Sequence, residues 1–331
     1  YLPSKTSKGV RNRASYLSNL HEIENNHPAN QPLISWGFHH YFHGKLTKYD
    51  LDKISSIRPI IIIHRSFHEF ILNTPAMKLL GINKNAFSDL EVDERLANFD
   101  DGHFSERGAI IVLPKLMQVL ATPPALMQGL QKTKDYLHSN GITVIGNPGS
   151  MYNKDLQIAK NLIFGNLDSP FESYFFPSAL NLSEQFKLNE VLDAAKEQTS
   201  WGAGKLNYLS KHIKLFADGA MYSQNMVMRD GYLDNHQGSW LMSLDTFENL
   251  FKIFWDDGYQ IHIHQNGDAG LDRLLATLKK NLDDNPRADH RTTVVHFGYS
   301  AKDQLEKMKE LGVVVSANPY YVTALSDLYS R

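Results

Sequence analysis

The stretch Gln260-Ile261-His262-Ile263-His264-Gln265-Asn266-Gly267-Asp268, followed by Leu271, Leu274, Leu275 and Leu278, carries the pattern that decides the fold class. Its first five residues read as a strand closed by histidine. The leucines recur at i, i+3, i+4 and i+7, the signature of one buried helix face. A strand feeding a helix within so few residues is half of a βαβ unit.

The same alternation extends in both directions. Downstream, Thr292-Thr293-Val294-Val295-His296 is a second strand ending in histidine. Ser300 and Asp303 give a capping-box-like helix start, Gly312 stops that helix, and Val313-Val314-Val315 is the last strand. Upstream, Ile213-Lys214-Leu215-Phe216 is a strand leading into Ala217-Asp218-Gly219, with a helix expected over 246–255. Before it come a strand at Tyr174-Phe175-Phe176 and a helix marked by Leu188, Val191, Leu192 and Ala195. Earlier still are a helix over 154–164 and a strand at Ile142-Thr143-Val144-Ile145. A helix starts at Thr122-Pro123, carries Leu126, Leu130 and Leu137, and ends at Asn140-Gly141. Six such alternations predict an α/β fold with a parallel sheet and covering helices. An open doubly wound sheet and a closed barrel both fit. No Gly-rich phosphate fingerprint follows a strand, which weakens the dinucleotide-binding version. Six units are too few for an eight-fold barrel, so either the sheet is open or two units lie outside this chain.

Residues 1–110 read differently, as a subdomain attached to the part formed by 111–331. They hold an aromatic and histidine cluster over 36–43, a strand over 59–63, a helix over 74–80 closed by Gly81, and a polar, turn-rich stretch over 98–108.

Composition excludes several function classes. The 331 residues are 42% hydrophobic and 21% charged, ordinary for a globular chain. The 34 basic and 36 acidic residues nearly cancel, so neither nucleic acid nor a membrane surface is an expected partner. No apolar run approaches the ~20 residues of a membrane span. There is no cysteine, which removes disulfides and thiolate metal sites. A soluble protein is expected, cytoplasmic or exported; the chain begins at Tyr1, so a leader could precede it.

Chemistry in a parallel α/β fold gathers at the C-terminal ends of strands. His264 and His296 occupy two such ends, on strands separated by one helix and therefore neighbours. Paired imidazoles there suit a divalent metal. A strand-end histidine is also commonly just hydrogen-bonded. His262 shares a face with His264 but should lie deeper. Lys214 sits between apolar residues; strand lysines usually snorkel or pair, whereas a buried one shifts readily toward the neutral amine.

At these residues the chain resembles the YtcJ-like metal-dependent hydrolases of the amidohydrolase superfamily. Lys214-Leu215-Phe216-Ala217-Asp218-Gly219 with Ser223 is similar to that family's K-[LF]-x-x-D-G-x-x-x-S segment, and His264-Gln265-Asn266-Gly267-Asp268 to its H-x-x-G-D. His296-Phe297 resembles the end of its I-E-H-A, with Val295 where the family has glutamate. Ser316-Ala317-Asn318-Pro319 matches its [VS]-x-[QN]-P. His68 through Ala76 looks like H-x-x-x-x-N-[ST]-x-A, Leu51-Asp52 to Arg58-Pro59 like L-D…R-P, and Gly141-Ile142-Thr143 like G-[IV]-T. The resemblance runs from about Trp36 to Pro319.

The resemblance implies a (β/α)8 TIM-type barrel, of which this chain carries strands 2 to 7, with residues 1–110 an α/β insertion before strand 2 that helps cover the active site. It implies that Lys214, His264 and His296 are metal ligands on strands 4, 5 and 6, with Lys214 carboxylated and bridging one or two divalent ions, zinc being expected. A metal-activated hydroxide would then cleave an amide-like C–N bond or an ester. Asp268 and Asp218 are candidate catalytic residues, each also readable as a helix or turn cap. His68 and Asn73 are candidate substrate-binding residues. The family's strand-1 H-x-H and strand-8 Asp are not found in this chain; His39-His40 is the nearest pair, in the wrong context. A barrel of this type that has lost its metals, used for binding, is the alternative, and a Schiff-base enzyme using Lys214 a third reading. The partner is a small molecule, with an apolar or aromatic group suggested by Phe38, Tyr41, Phe42, Phe67 and Phe70; a homodimer is compatible with the sequence.

Overall fold

The computed structural model describes residues 10, 12–28, 30–87 and 94–322. Two compact units emerge: one formed by Tyr1–Leu120, Tyr222–Gln224 and Ser326–Arg331, the other by Ala121–Met221 and Asn225–Leu325.

The first unit is built on a five-stranded sheet of β1 (Leu33–Phe38), β2 (Ile60–His64), β3 (Glu69–Leu72), β4 (Ala97–Asn98) and β5 (His103–Ser105), in the order β1-β2-β3-β5-β4. β1 and β2 are parallel; the other pairings are antiparallel. The polar stretch over 98–108, expected to be turns, thus holds β5 and the end of β4. The unbroken run Ile60-Ile61-Ile62-Ile63 follows from the sheet being covered on both faces. Ile60, Ile62 and Ile71 pack with Leu20, Leu51 and Ile54 from the helices Arg13–Asn26 and Lys48–Ile54. Ile61, Ile63, Phe70, Leu72 and Phe104 pack with Ala76, Val112 and Leu116 from the helices Thr74–Leu79 and Arg107–Leu120. A strand apolar on both faces cannot show period-two alternation.

The second unit contains β6 (Val144–Ser150), β7 (Glu172–Pro177), β8 (Leu206–Tyr208), β9 (His212–Phe216), β10 (Gln260–Gln265), β11 (Thr293–His296) and β12 (Val314–Ala317). They form two parallel sheets, β6-β7-β8 and β9-β10-β11-β12, linked by a bridge between Ser178 and Lys214. Every strand expected here is present, with β8 in addition. β8 is joined to β9 by a short turn in which Lys211 takes a left-handed φ of 57°. β6 lies further along than expected, because it runs through Asn147-Pro148-Gly149 with a register shift. Pro148 is tolerated on a sheet's outer strand. The helix Leu244–Asp256 starts before Thr246 because Ser243 caps it, its side chain accepting from Thr246 N–H. The helix Lys302–Glu310 is opened by Gln304, whose Oε1 accepts from Ala301 N–H at 3.0 Å, rather than by Ser300 and Asp303.

One face of the four-stranded sheet is apolar. Ile213, Leu215, Ile261, Ile263 and Val294 are fully buried against Phe247, Leu250, Phe251 and Phe254 of one helix and Leu271, Leu274 and Leu278 of the helix Asp268–Asp284. Period-two alternation then places His212, Lys214 and Phe216, and His262 and His264, on the other face. No single helix among the described residues is long and apolar enough to cross a membrane.

Candidate functional site

In the second unit, β9, β10 and β11 lie side by side with His262 opposite Lys214 and His264 opposite Phe216. Lys214 is only 2% exposed. No carboxylate among the described residues pairs with it; its Nζ lies 5.6 Å from the Phe216 ring centroid. Burial without a counter-charge pushes its ammonium down to about 7. Gly149, at the end of β6, makes room for this side chain: a Cβ there would stand 3.2 Å from Lys214 Cγ, and its φ of 95° disfavours any other residue.

His264 and His296 meet edge to face, ring centroids 4.5 Å apart. Alternation alone does not predict that meeting. In register, Val295 opposes His264, whereas His296 opposes Gln265. His296 has a left-handed φ of 77° and Phe297 one of 50°. The backbone turns where strict pleating would aim the imidazole away from His264, a conformation costing about 1–3 kcal/mol for a non-glycine residue. The strained backbone at His296 and Phe297 thus sits where the two imidazoles face each other. Asn266 Nδ2 lies 2.9 Å from His264 Nε2 and donates to Gly219 O at 3.1 Å, which fixes the His264 ring. His262 is engaged elsewhere: its Nε2 is 3.0 Å from His212 Nδ1, and burial pushes it down to about 3. The His262–His264 pair is therefore not a chelate.

The two aspartates hold the loops around this strand end. Asp218 is fully buried; its Oδ2 accepts from Val227 N–H (2.9 Å) and Gly267 N–H (2.7 Å), its Oδ1 from Asn266 N–H (3.0 Å). Asp268 begins the helix Asp268–Asp284, and its Oδ1 accepts from Arg229 N–H and Ala269 N–H. Asp218 thus ties three loop amides together, and Asp268 holds Arg229 N–H and the first turn of its own helix through one oxygen.

In the first unit, Asn73, a candidate substrate-binding residue by sequence, anchors the backbone around it. It is fully buried; Oδ1 accepts from Ile60 N–H and Ala76 N–H, and Nδ2 donates to Ser55 O and Arg58 O. All its hydrogen-bonding capacity holds a strand start and a helix cap. His68 Nδ1 lies 2.8 Å from Glu106 Oε2, and Glu106 Oε1 accepts from Ser223 Oγ at 2.8 Å. Burial opposes protonation of His68, but the Glu106 carboxylate outweighs it and the pKa is raised. Left-handed φ values occur at Phe67 (64°), next to His68, and at Glu106 itself (46°).

The sequence reading missed one group in this unit and set aside one of its members. His40, Glu69 and His103 bring their ligand atoms within 4.8 Å of one another. Among the described residues they are the one set of three His, Cys, Asp or Glu side chains so placed. They come from separate elements, so no spacing motif advertises them.

The second unit thus joins a parallel α/β layer to a buried lysine and two facing imidazoles at its strand ends. The chain belongs to the Amidohydrolase family, whose model matches residues 7–328. It is 21% identical over 332 residues to YtcJ of Bacillus subtilis (strain 168), covering 95% of this chain and 58% of YtcJ. It is 22% identical over 290 residues to the exoenzymes regulatory protein AepA of Pectobacterium carotovorum subsp. carotovorum, covering 84% of this chain and 60% of AepA. An uncharacterized metal-dependent hydrolase from Pyrococcus horikoshii OT3 shares the fold, with a TM-score of 0.64 at 17% identity, over 97% of this chain and 60% of that one. One from Pyrococcus furiosus gives 0.59 at 19% identity, over 96% of this chain and 62% of that one. The chain thus spans about three fifths of each of these proteins.

Proposed function

We propose that this chain supplies part of the centre of a metal-dependent hydrolase acting on an amide-like C–N bond or an ester of a small molecule. The observation that carries the reading is the strained turn at His296, which brings its ring to 4.5 Å from that of His264 on the sheet face that also bears Lys214. Two imidazoles and a lysine that burial holds near neutrality are the donor chemistry a zinc-class ion takes. The fit is by donor type: His264 and His296 would ligate through nitrogen. Lys214 would ligate after carboxylation, in which its neutral amine nitrogen bonds to the carbon of CO₂ and releases a proton, leaving a carbamate oxygen. A bound divalent ion supplies Lewis acidity toward a carbonyl and lets water attack near neutral pH.

The chain's own residues do the rest. Asn266 orients His264, a role that commonly sets metal affinity. Asp218 fixes the Gly267 turn. We further propose that β6, β7, β8 with β9, and β10 to β12 are consecutive strands of a closed barrel. Membership of the Amidohydrolase family does not favour a metal-free binding relative.

The test is turnover by the complete protein containing this chain, stripped of metal and resupplied with Zn²⁺, Mn²⁺ or Co²⁺, against a panel of amides and esters. Metal-dependent hydrolysis that falls at least about 100-fold in His264→Ala and His296→Ala supports the reading. Hydrolysis indifferent to both substitutions contradicts it.

A further inference from the structure

The first unit holds a second constellation of ligating side chains, built by sheet pairing. β2 and β3 pair with Ile62 opposite Ile71, and β3 and β5 with Ile71 opposite His103. Period-two alternation therefore puts His64, Glu69 and His103 on one face of this sheet. That face is apolar along Ile60, Ile62 and Ile71. Where the apolar packing ends, the carboxylate and the imidazoles begin. His40, from the short helix His40–His43, joins them: its ring stands edge-on to Phe38 and stacks on His64.

The convergence is tight. His40 Nε2 lies 2.6 Å and His103 Nε2 2.7 Å from the same oxygen, Glu69 Oε2. The other oxygen, Oε1, is buried without a hydrogen-bond partner; His64 Nδ1 is 3.6 Å from it. Glu69 and His64 are almost wholly buried, whereas the His40 and His103 side chains are 36% and 26% exposed. A buried carboxylate with an unsatisfied oxygen is costly unless a cation or donor meets it. An N₂O set of two imidazoles and one carboxylate, open to solvent on one side, matches three-ligand sites for zinc and related ions. Ion–ligand bonds of about 2.0–2.2 Å need donors about 3.3 Å apart, so the side chains would open by a few tenths of an ångström.

We propose that His40, Glu69 and His103 bind one divalent transition-metal ion of the zinc class in the first unit, independently of Lys214, His264 and His296.

The experiment titrates the metal-stripped complete protein with Zn²⁺ by calorimetry and with Co²⁺ by visible absorption. The background variant His264→Ala/His296→Ala should still bind one Zn²⁺ per chain and give the Co²⁺ ligand-field bands. Adding His40→Ala or His103→Ala should weaken that event by about 100-fold or more and remove the bands, since direct ligands matter at least as much as their supporting partners. Glu69→Gln keeps the shape and should weaken binding comparably; it decides the matter if either histidine variant fails to fold by circular dichroism. Binding unchanged in Glu69→Gln, or no Zn²⁺ bound in the background variant, would overturn the proposal and leave Glu69 as a carboxylate hydrogen-bonded to His40 and His103. Failure of the other centre shows separately, as hydrolysis unaffected by His264→Ala/His296→Ala.

Discussion

Asn266 shows how much of the proposed centre rests on one side chain outside the ligand set. It holds the His264 ring at 2.9 Å, and Asn266→Ala is expected to lower metal affinity about 10–100-fold while leaving the fold intact; competition with a chelator of known affinity measures this. Asp218→Asn belongs to folding instead. Replacing a buried oxygen that accepts backbone N–H groups with an amide NH₂ should cost about 2–4 kcal/mol, read from urea unfolding. Lys160 gives a pH signature. Burial pushes it down to about 8 in the folded chain, against 10.5 when exposed. Between those values the unfolded chain holds more protons, so stability rises with pH across that window and below it the full penalty persists. Lys160→Met should flatten this rise in urea midpoints taken from pH 7.5 to 10.5; a rise unchanged in the variant would contradict the assignment. Much of the residue scale was legible in the sequence. Alternation sends Lys214 and His264 to one face, and motif order ties them to His296. The turn that re-aims His296 was not legible, because a φ of 77° at histidine follows from the loop after β11 and from no local propensity. The sequence leaves the roles of Asn73 and the two aspartates open, because capping and catalysis use the same side chains.

Elements supply the frame that these residues need. The helix Leu244–Asp256 buries Phe247, Leu250, Phe251, Phe254 and Trp255 against β9 and β10. Phe251→Ala should therefore destabilise the second unit by about 3–5 kcal/mol, as a loss of unfolding midpoint with no change in the metal ligands. Gly267 stands where β10 turns into its helix, and a Cβ there would come within 2.0 Å of Val227 O. Gly267→Ala must push backbone aside, costing about 1–3 kcal/mol and displacing the Asn266 side chain, so stability and metal affinity should fall together. The helices and their strands in this unit were readable because each is apolar on one face. In the first unit the double-sided burial of β2 hides its period, and β4 and β5 are too short to outweigh their turn residues. The His40–Glu69–His103 group was invisible for a related reason: its members meet only once β2, β3 and β5 have paired.

At the scale of the whole molecule, the proposed centre needs metal donors from several strands at one rim. This chain contributes a lysine and two histidines from three adjacent parallel strands, on the face opposite its largest apolar core. The core packs one face of these strands, which leaves the other for the polar side chains of the proposed centre. The chain spans about three fifths of the length of these relatives, so the proposed centre is tested in the complete protein that contains it. The measurement that bears most directly on this account is a zinc-edge anomalous difference map from crystals of that complete protein grown with Zn²⁺. The account predicts a peak about 2.0–2.1 Å from an imidazole nitrogen of both His264 and His296, with density extending from Lys214 Nζ toward it. Well-ordered histidines at 4.5 Å between ring centroids with no anomalous peak beside them would contradict it.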